Sequence, residues 1–207
     1  MLDNANVEIE GFVKVWDPVT GEIIQQGHNA INKEAMSYVL ASLMQGPSGP
    51  YLYEMHFGNG GAIVDETGNI TYRDVEINLE DGLSAGLYNP TYFKIVDATD
   101  ELNDDVTKNK VEIAHTQGLY YTDVIVTCTL SPEQPDAADY GNLVSLTQDE
   151  IDQGTLTGNF VFNELGLKVK GTELNTGYLI SHIIFHPVQK SANRTIQVVY
   201  TLRIRLS

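Results

Sequence analysis

Two histidines stand four residues apart in the last strand-like third of the sequence, and their spacing is the nearest approach to a metal-ligand pattern. In an extended strand, residues four apart lie on the same face, so His182 and His186 would point the same way. Zinc needs three or four protein ligands, and nothing nearby has ligand spacing unless His56 or His115 folds close. Because Ile184 shares the same face, the pattern favours ordinary histidines of a strand edge or an interface. We therefore expect no metal site.

Cysteine and histidine together could also perform nucleophilic chemistry. Cys128 is the single cysteine of the chain, and His28 and His115 are the bases that could activate it. Cys128 alternates with Val124 and Val126 in a strand-like pattern, which predicts a buried thiol, and a thiol in apolar surroundings is unreactive. Motifs of serine hydrolases, zinc proteases and dinucleotide-binding loops are absent from the sequence. We expect no catalytic residues and no enzymatic activity.

Two other stretches contain groups that bind ions in other proteins. Residues 58–61, Gly-Asn-Gly-Gly, follow a predicted strand as phosphate-binding loops do. They lack the Lys-Ser/Thr of a P-loop and a helix after it, so a backbone turn is favoured. Residues 97–109 are rich in aspartate, but their spacing departs from a calcium-binding EF-hand. We interpret this loop as solvated charge and expect no cofactor.

Charge and composition exclude several classes of function. The 207 residues include 12 Lys and Arg against 28 Asp and Glu, which gives a net charge of −16. Because nucleic-acid affinity depends on clustered Lys and Arg, we expect no nucleic-acid partner, and no docking on an anionic membrane surface. No apolar run approaches the ~20 residues of a membrane span. The sequence predicts a globular chain that folds in a cytoplasm without disulfides.

The charge is also distributed unevenly along the chain. Residues 1–164 hold 6 basic and 27 acidic side chains, whereas residues 165–207 hold 6 basic and 1 acidic side chain. One interpretation is that the basic segment packs beside acidic strands of its own chain. The other is complementary contact between neighbouring subunits, where separated charges would steer association. The sequence leaves both interpretations open.

The elements that position these residues are mostly strands. Short alternating runs separated by turn clusters predict a mainly β, β-sandwich-like domain. The clearest strand covers residues 195–207, with its even-numbered side chains in the core. Asn32 is a predicted N-cap for one short helix over residues 33–44. Its apolar positions have helical spacing, so one face should be buried, made of Ala35, Met36, Val39, Leu40, Leu43 and Met44. We expect a single domain over residues 1–207, with an extended arm at residues 1–6 and a loop at residues 131–142.

The first strand provides a candidate interface. Its odd-numbered apolar residues, Val7, Ile9, Val13 and Val15, are predicted to face the core. Phe12 and Trp16 then point outward beside Lys14, and exposed aromatic side chains of this kind dominate the contact energy of interfaces. The alternative is that the helix at residues 33–44 covers this face within the monomer.

Several stretches resemble structural proteins of tailed bacteriophages. They are DPVTGE at residues 17–22 followed by HNAIN at 28–32, MHFGNGG at 55–61, NELGL at 163–167 and LISHIIFHPV at 179–188. The resemblance covers the first third and the last quarter of the chain, and the middle carries none of it. It implies a virion structural protein of the collar or neck, the baseplate or the tail-fibre attachment site.

The same resemblance implies the partners and the location of the protein. They are further copies of the chain in a homo-oligomer and other virion proteins, with synthesis in the host cytoplasm. The chain has no coiled coil, collagen-like repeat or glycine-rich shaft, so a compact adaptor is favoured over a complete receptor-binding fibre. Its position in the particle, its stoichiometry and its neighbours stay open.

Two alternatives belong to other classes of function. Eleven tyrosines suggest a carbohydrate-binding β-sandwich, because aromatic rings stack on sugars. The tyrosines whose spacing fits such a role are Tyr51 with Tyr53, Tyr88 with Tyr92, and Tyr120 with Tyr121. A metal-dependent hydrolase that uses His182 and His186 is the third and weakest hypothesis.

Overall fold

Two antiparallel five-stranded sheets lie face to face in the computed structural model of the chain. The structure describes residues 6–45, 49–75, 82–132, 134–135 and 159–207. Buried side chains from both sheets form one hydrophobic core between them. The predicted mainly β, β-sandwich-like fold with one short α-helix is confirmed.

The order of the strands separates the two sheets. The elements in chain order are β1 (Val7–Trp16), β2 (Ile23–His28), β3 (Ala30–Ile31), α1 (Lys33–Gln45), β4 (Leu52–Gly58), β5 (Ala62–Val64), β6 (Ile70–Tyr72), β7 (Pro90–Ile95), β8 (Lys110–Ala114), β9 (Tyr121–Leu130), β10 (Asn159–Val169), β11 (Leu179–Ser191) and β12 (Ile196–Leu206). Sheet A has the order β2-β1-β12-β9-β8, and sheet B has the order β3-β11-β10-β4-β7. Strands β5 and β6 form a separate hairpin.

The last strand, β12, shows the alternation that its sequence predicts. Its buried side chains are Ile196, Val198, Tyr200 and Leu202. The Tyr200 hydroxyl donates a hydrogen bond to the backbone carbonyl of Leu165 in sheet B, over 3.2 Å. This contact ties the centres of the two sheets together. The burial does not continue to the end of the strand, since Leu206 is 55% exposed.

The first strand follows its predicted phase with one exception. Val13 and Val15 are buried in the core, as expected. Val7 was expected to be buried with them but is 53% exposed. The reason is its position at the strand end, where it pairs with the equally exposed Leu206. The edge of the core therefore lies between Val7 and Val13.

The turn between β1 and β2 forms as predicted. The Asp17 carboxylate accepts hydrogen bonds from the backbone N–H groups of Val19 and Thr20, at 2.8 Å and 3.2 Å. Gly21 has a φ of 77°, a conformation that glycine adopts without strain. Side-chain capping and a permissive glycine thus close the hairpin.

Helix α1 begins where the N-cap predicts. The Asn32 side-chain oxygen accepts a hydrogen bond from the N–H of Ala35 over 3.1 Å, and its amide nitrogen donates to the carbonyl of Gly82 over 2.8 Å. The first turns bury Ala35, Met36 and Val39 in the core. The expectation that Leu43 and Met44 share this buried face is wrong: they are 47% and 90% exposed. The first half of the helix packs on the core, and its second half extends beyond the core.

The helix does not cover the outer face of β1. It packs against β11 and the 3-10 turn at Gly82–Ser84, and its buried residues join the core between the sheets. The hypothesis that α1 shields Phe12 and Trp16 within the monomer is therefore not what the structure shows.

Basic side chains of the segment at residues 165–207 meet acids of the same chain. Arg203 pairs with Asp123 through two hydrogen bonds of 2.8 Å. Other such pairs are Arg194 with Glu22 at 2.7 Å and Lys170 with Asp100 at 3.2 Å. These contacts favour the intramolecular interpretation of the uneven charge.

Two expectations fall largely outside the described residues. They are the arm at residues 1–6, of which only Asn6 is described, and most of the loop at residues 131–142. Within the described part of the chain, no helix is long and apolar enough to cross a membrane.

The position of Tyr200 gives a test of this core. Tyr200→Asp would bury an unpaired carboxylate between the sheets, so we expect the free energy of unfolding to fall by about 4 kcal/mol. Thr201→Asp, one residue along and on the half-exposed face, is the matched control and should change stability little. Urea denaturation followed by tryptophan fluorescence measures both. A Tyr200→Asp protein as stable as the parent would contradict the assigned strand phase.

Candidate functional site

A change of phase in strand β10 places an acid on the outer face of sheet B. Phe162 pairs with Val188, whereas Glu164 pairs with Ile184, so residues 185–187 of β11 lie opposite Asn163 alone. This irregularity shifts the buried face of β10 from the even to the odd positions. Glu164 consequently faces away from the core, yet it is 0% exposed.

The Glu164 carboxylate is surrounded by hydrogen-bond donors. One oxygen accepts from the backbone N–H groups of Gly60 and Asn89, each over 2.9 Å. The other accepts from the N–H of Tyr88 and from Nε2 of His182, each over 3.0 Å. Clustered backbone N–H groups form an anion-binding concavity. Here the anion is supplied by the chain itself.

This arrangement explains the Gly-Asn-Gly-Gly stretch at residues 58–61. It is a backbone turn, as predicted, and its amides bind side chains of β10. Beside the Gly60 contact, the N–H of Gly61 donates to the side-chain oxygen of Asn163 over 2.8 Å. A side chain at Gly60 would collide with Tyr88 and Asn89, because a Cβ there would lie within 2.8 Å of both. The turn is closed against sheet B.

The donors decide the charge state of Glu164. Burial alone would raise the pKa of this carboxyl group, because it disfavours the charged form. The hydrogen bonds from His182 and from the backbone N–H groups of Asn89 and Tyr88 outweigh burial and hold the pKa below its usual value of 4.5. Glu164 is therefore a carboxylate at neutral pH.

A second buried pair lies on the neighbouring strand β4, on the same face of sheet B. Nε2 of His56 is 2.8 Å from the Glu54 carboxylate, and the imidazole stacks on the Phe93 ring at a centroid distance of 5.1 Å. Burial lowers the pKa of His56. The other Glu54 oxygen accepts from the N–H of Asn175 over 2.9 Å. Both histidine–glutamate pairs are thus sealed under loops.

Gly166 lies between the two pairs. It is directly opposite His56 on β4 and His182 on β11. A Cβ at this position would come within 2.6 Å of side-chain atoms of Leu87 and Leu179. The absence of a side chain lets Leu87 pack onto the sheet. The segment at residues 82–89 and the loop at residues 170–178 together close the outer face of sheet B.

The cluster is built to hold loops rather than a metal. In the described part of the chain, no group of three or more His, Cys, Asp or Glu side chains converges as a metal site. His182 and His186 also do not share an environment: His182 is buried on Glu164, whereas His186 is exposed and lies 3.3 Å from the Tyr72 hydroxyl. The expectation that both are edge or interface histidines is wrong for His182.

The remaining chemical candidates are occupied in other ways. Cys128 is 0% exposed, and burial raises the pKa of its thiol to about 12, so the predicted buried thiol is confirmed. The aspartates of the 97–109 loop accept hydrogen bonds from their own loop. Asp97 accepts from Thr99 and Asp105 from Thr107. Their carboxylates do not converge.

The predicted interface residues lie together on the outer face of sheet A. The Phe12 ring contacts the His28 imidazole at a centroid distance of 4.5 Å. The Lys14 ammonium lies 4.3 Å from the centroid of the Trp16 ring, and the indole N–H donates to the side chain of Gln197 over 3.1 Å. Phe12, Lys14 and Trp16 are all half-buried. Their outward direction is as expected.

This aromatic stripe is part of a wider open surface. Strand neighbours on the same face, Val199, Ile125 and Tyr121, are also half-buried. Arg203 lies over the Tyr121 ring at 4.1 Å while it pairs with Asp123. The outer face of sheet A therefore combines apolar area with fixed charges. Among the described residues, the outer face of sheet B has no comparable aromatic stripe, because the segments at residues 82–89 and 170–178 cover much of it.

The Glu164 cluster can be tested by removing its charge. Glu164→Gln keeps the size of the side chain but puts an N–H group against backbone donors, so we expect the free energy of unfolding to fall by about 3 kcal/mol. Glu173→Gln, which changes an exposed glutamate, is the control and should be neutral. Chemical denaturation at neutral pH measures both. Equal stability of the Glu164→Gln variant and the parent would show that the cluster stabilises nothing.

The pH dependence gives the same test an independent check. Because the pKa of Glu164 in the folded protein lies below 4.5, its contribution is complete above that pH and is lost as the pH falls through the folded-state pKa. The difference in stability between parent and Glu164→Gln should therefore shrink in acid. A difference that does not change with pH would assign the effect to packing instead.

Comparisons with known proteins were made on sequence and on structure. Family models, curated sequences and solved structures contain no match to this chain. What the protein does must therefore be inferred from its own residues. The two features with the clearest geometry are the sealed Glu164 cluster on sheet B and the open aromatic stripe on sheet A.

Proposed function

We propose that the chain is a non-enzymatic structural component of a tailed phage particle, at the collar or neck, the baseplate or a tail adaptor. It acts through contacts with further copies of itself and with other virion proteins. The observation that carries the proposal is the difference between the two outer faces. Sheet B is covered by segments of its own chain, whereas sheet A leaves an aromatic stripe half-exposed. A sheet with one open face suits a subunit that packs against neighbours.

The resemblance to phage structural proteins supports the proposal in a second way. Motifs at residues 55–61, 163–167 and 179–188 lie on the adjacent strands β4, β10 and β11. Glu164 of the second motif binds Gly60 of the first and His182 of the third. The similar stretches thus form one structural unit rather than scattered matches. That unit stabilises the sandwich to which the open face of sheet A belongs.

The stripe has the properties of an interface anchor. Aromatic residues provide most of the contact energy in interfaces, and a side chain that is already fixed loses little entropy on binding. Trp16 is held by Lys14 on its face and by Gln197 at its edge. The ion pair of Arg203 and Asp123 on the same sheet adds a polar margin that would fix orientation.

Trp16→Ala tests the interface. We expect it to weaken self-association or incorporation into particles at least tenfold, while the monomer stays folded, because the ring is half-exposed and outside the core. Tyr72→Ala removes a half-exposed aromatic from the β5–β6 hairpin and is the control. Sedimentation velocity measures association, and mass spectrometry of purified particles measures the copy number of the chain. Unfolding of Trp16→Ala without a separate assembly defect would make Trp16 a core residue, and absence of the chain from particles would refute the virion role.

A carbohydrate-binding module is the second candidate function, and one groove favours it. A cavity of about 480 Å³ is lined by Tyr38, Tyr51, Tyr178 and Lys170. Tyr38 and Tyr178 meet edge to face at 5.5 Å, and Tyr51 is 40% exposed. Two of the other predicted stacking residues do not qualify. Tyr53 and Tyr92 are 3% and 0% exposed, so their rings are inaccessible to a sugar.

Binding to a glycan array tests this second function. If the groove binds sugars, Tyr51→Ala should lower the affinity for the bound glycan about tenfold, because a stacking platform is lost. Tyr120→Ala removes a tyrosine that is 82% exposed and does not line the groove, so it should leave the affinity unchanged. An array without any saturable signal would exclude the groove as a glycan site.

A further inference from the structure

An apolar cavity of about 380 Å³ lies between helix α1 and the ends of both sheets. Its volume is in the range of small-molecule sites. The helix contributes Leu40 and Leu43 to the wall, and sheet A contributes Val124, Leu202 and Ile204. The cavity is thus a gap in the core at the place where the helix and sheet A separate.

The mouth of this cavity is apolar and open. Ile113 and Leu43 line it and are 75% and 47% exposed. Val7 and Leu206 continue the inner face of sheet A beyond the core and are each more than half exposed. Exposed apolar side chains that continue into a concave apolar space are typical of a binding site for an apolar group.

One carboxylate stands at the mouth. Asp97 lines the cavity, and one of its oxygens accepts hydrogen bonds from the N–H and hydroxyl groups of Thr99, at 2.9 Å and 2.8 Å. The other oxygen accepts only from the Tyr51 hydroxyl, over 3.1 Å, among the described residues. No Lys, Arg or His of the described chain pairs with Asp97. The carboxylate therefore has no ion-pair partner among the described residues, and its second oxygen can accept a further contact.

We propose that this cavity binds a single-chain amphiphile with a cationic head group. The aliphatic chain lies between α1 and sheet A, and the cation lies against Asp97. Burial of the chain provides the affinity, and the carboxylate selects the sign of the head group. An anionic head group would meet Asp97 in a chain whose net charge is already −16. This site is separate from the outer face of sheet A and does not depend on its role in assembly.

The test compares two amphiphiles of equal chain length by isothermal titration calorimetry below their critical micelle concentrations. Decyltrimethylammonium should bind with one-site saturation and at least tenfold more tightly than decyl sulfate. Ala98→Trp places a large side chain at an exposed position that lines the cavity and should weaken binding about tenfold. Ala114→Trp makes the same change at an exposed position on the opposite face of β8 and should leave binding unchanged.

The charge preference has its own pair of variants. Asp97→Asn should remove most of the preference for the cationic amphiphile. Glu101→Gln makes the same change in net charge at an exposed position of the same loop and should preserve the preference. If Asp97→Asn and Glu101→Gln weaken the preference for the cationic amphiphile equally, the preference arises from the overall charge. That result would overturn the role of Asp97.

Four further outcomes would overturn the proposed site. The first three are no saturable binding of either amphiphile, equal binding by parent and Ala98→Trp, and binding to phosphatidylcholine vesicles without binding of the monomeric amphiphile. Sedimentation velocity on the same samples detects the fourth, in which the mouth is covered by a second copy that Ala98→Trp releases. The proposal is supported if the parent protein is folded and monomeric and binds only the cationic amphiphile.

Discussion

A buried carboxylate with four donors is the interaction on which the rest of sheet B depends. Glu164 receives two backbone N–H groups from the segment at residues 82–89, one from the glycine turn and one imidazole from β11. Each of these donors would be costly if it were buried alone, and so would the charge. Because the carboxylate and its donors satisfy one another, two loops can pack on a strand face that would otherwise be exposed to solvent. Glu164 thus closes one part of the outer face of sheet B, and Glu54, which binds the N–H of Asn175, holds the loop that closes the other part.

The sequence predicts those parts of the fold where one face of a strand or helix meets water and the other does not. The alternation in β12 and the N-cap at Asn32 are local signals, and both agree with the structure. Exposure at the element ends, at Val7 and Met44, was not predictable, because it depends on where the opposing sheet stops. Periodicity describes a single element and contains no information on its neighbour's length.

The Glu164 cluster was missed for a related reason. An acid between apolar residues is expected to be exposed, and the irregular pairing of β10 with β11 interrupts the simple alternation. One signal could have found it: the aromatic residues Phe160 and Phe162 stand at even positions, whereas the aliphatic residues from Leu165 to Val169 stand at odd positions. Such a switch indicates a bulge. By contrast, the outward direction of Phe12 and Trp16 was predictable from β1 alone.

The order of the strands has a consequence for how the chain is made. β10 lies between β4 and β11, and Gly60 meets Glu164 across 104 residues of sequence. β1 likewise lies between β2 and β12, its partner from the far end of the described chain. The ribosome synthesises the protein from its amino terminus, so β1 is made before its partner β12 and β4 is made before its partner β10. Until those partners are made, each of the two strands has one unpaired edge. Non-local pairing of this kind folds slowly and exposes strand edges to other chains. Neither sheet can close before the last strands leave the ribosome.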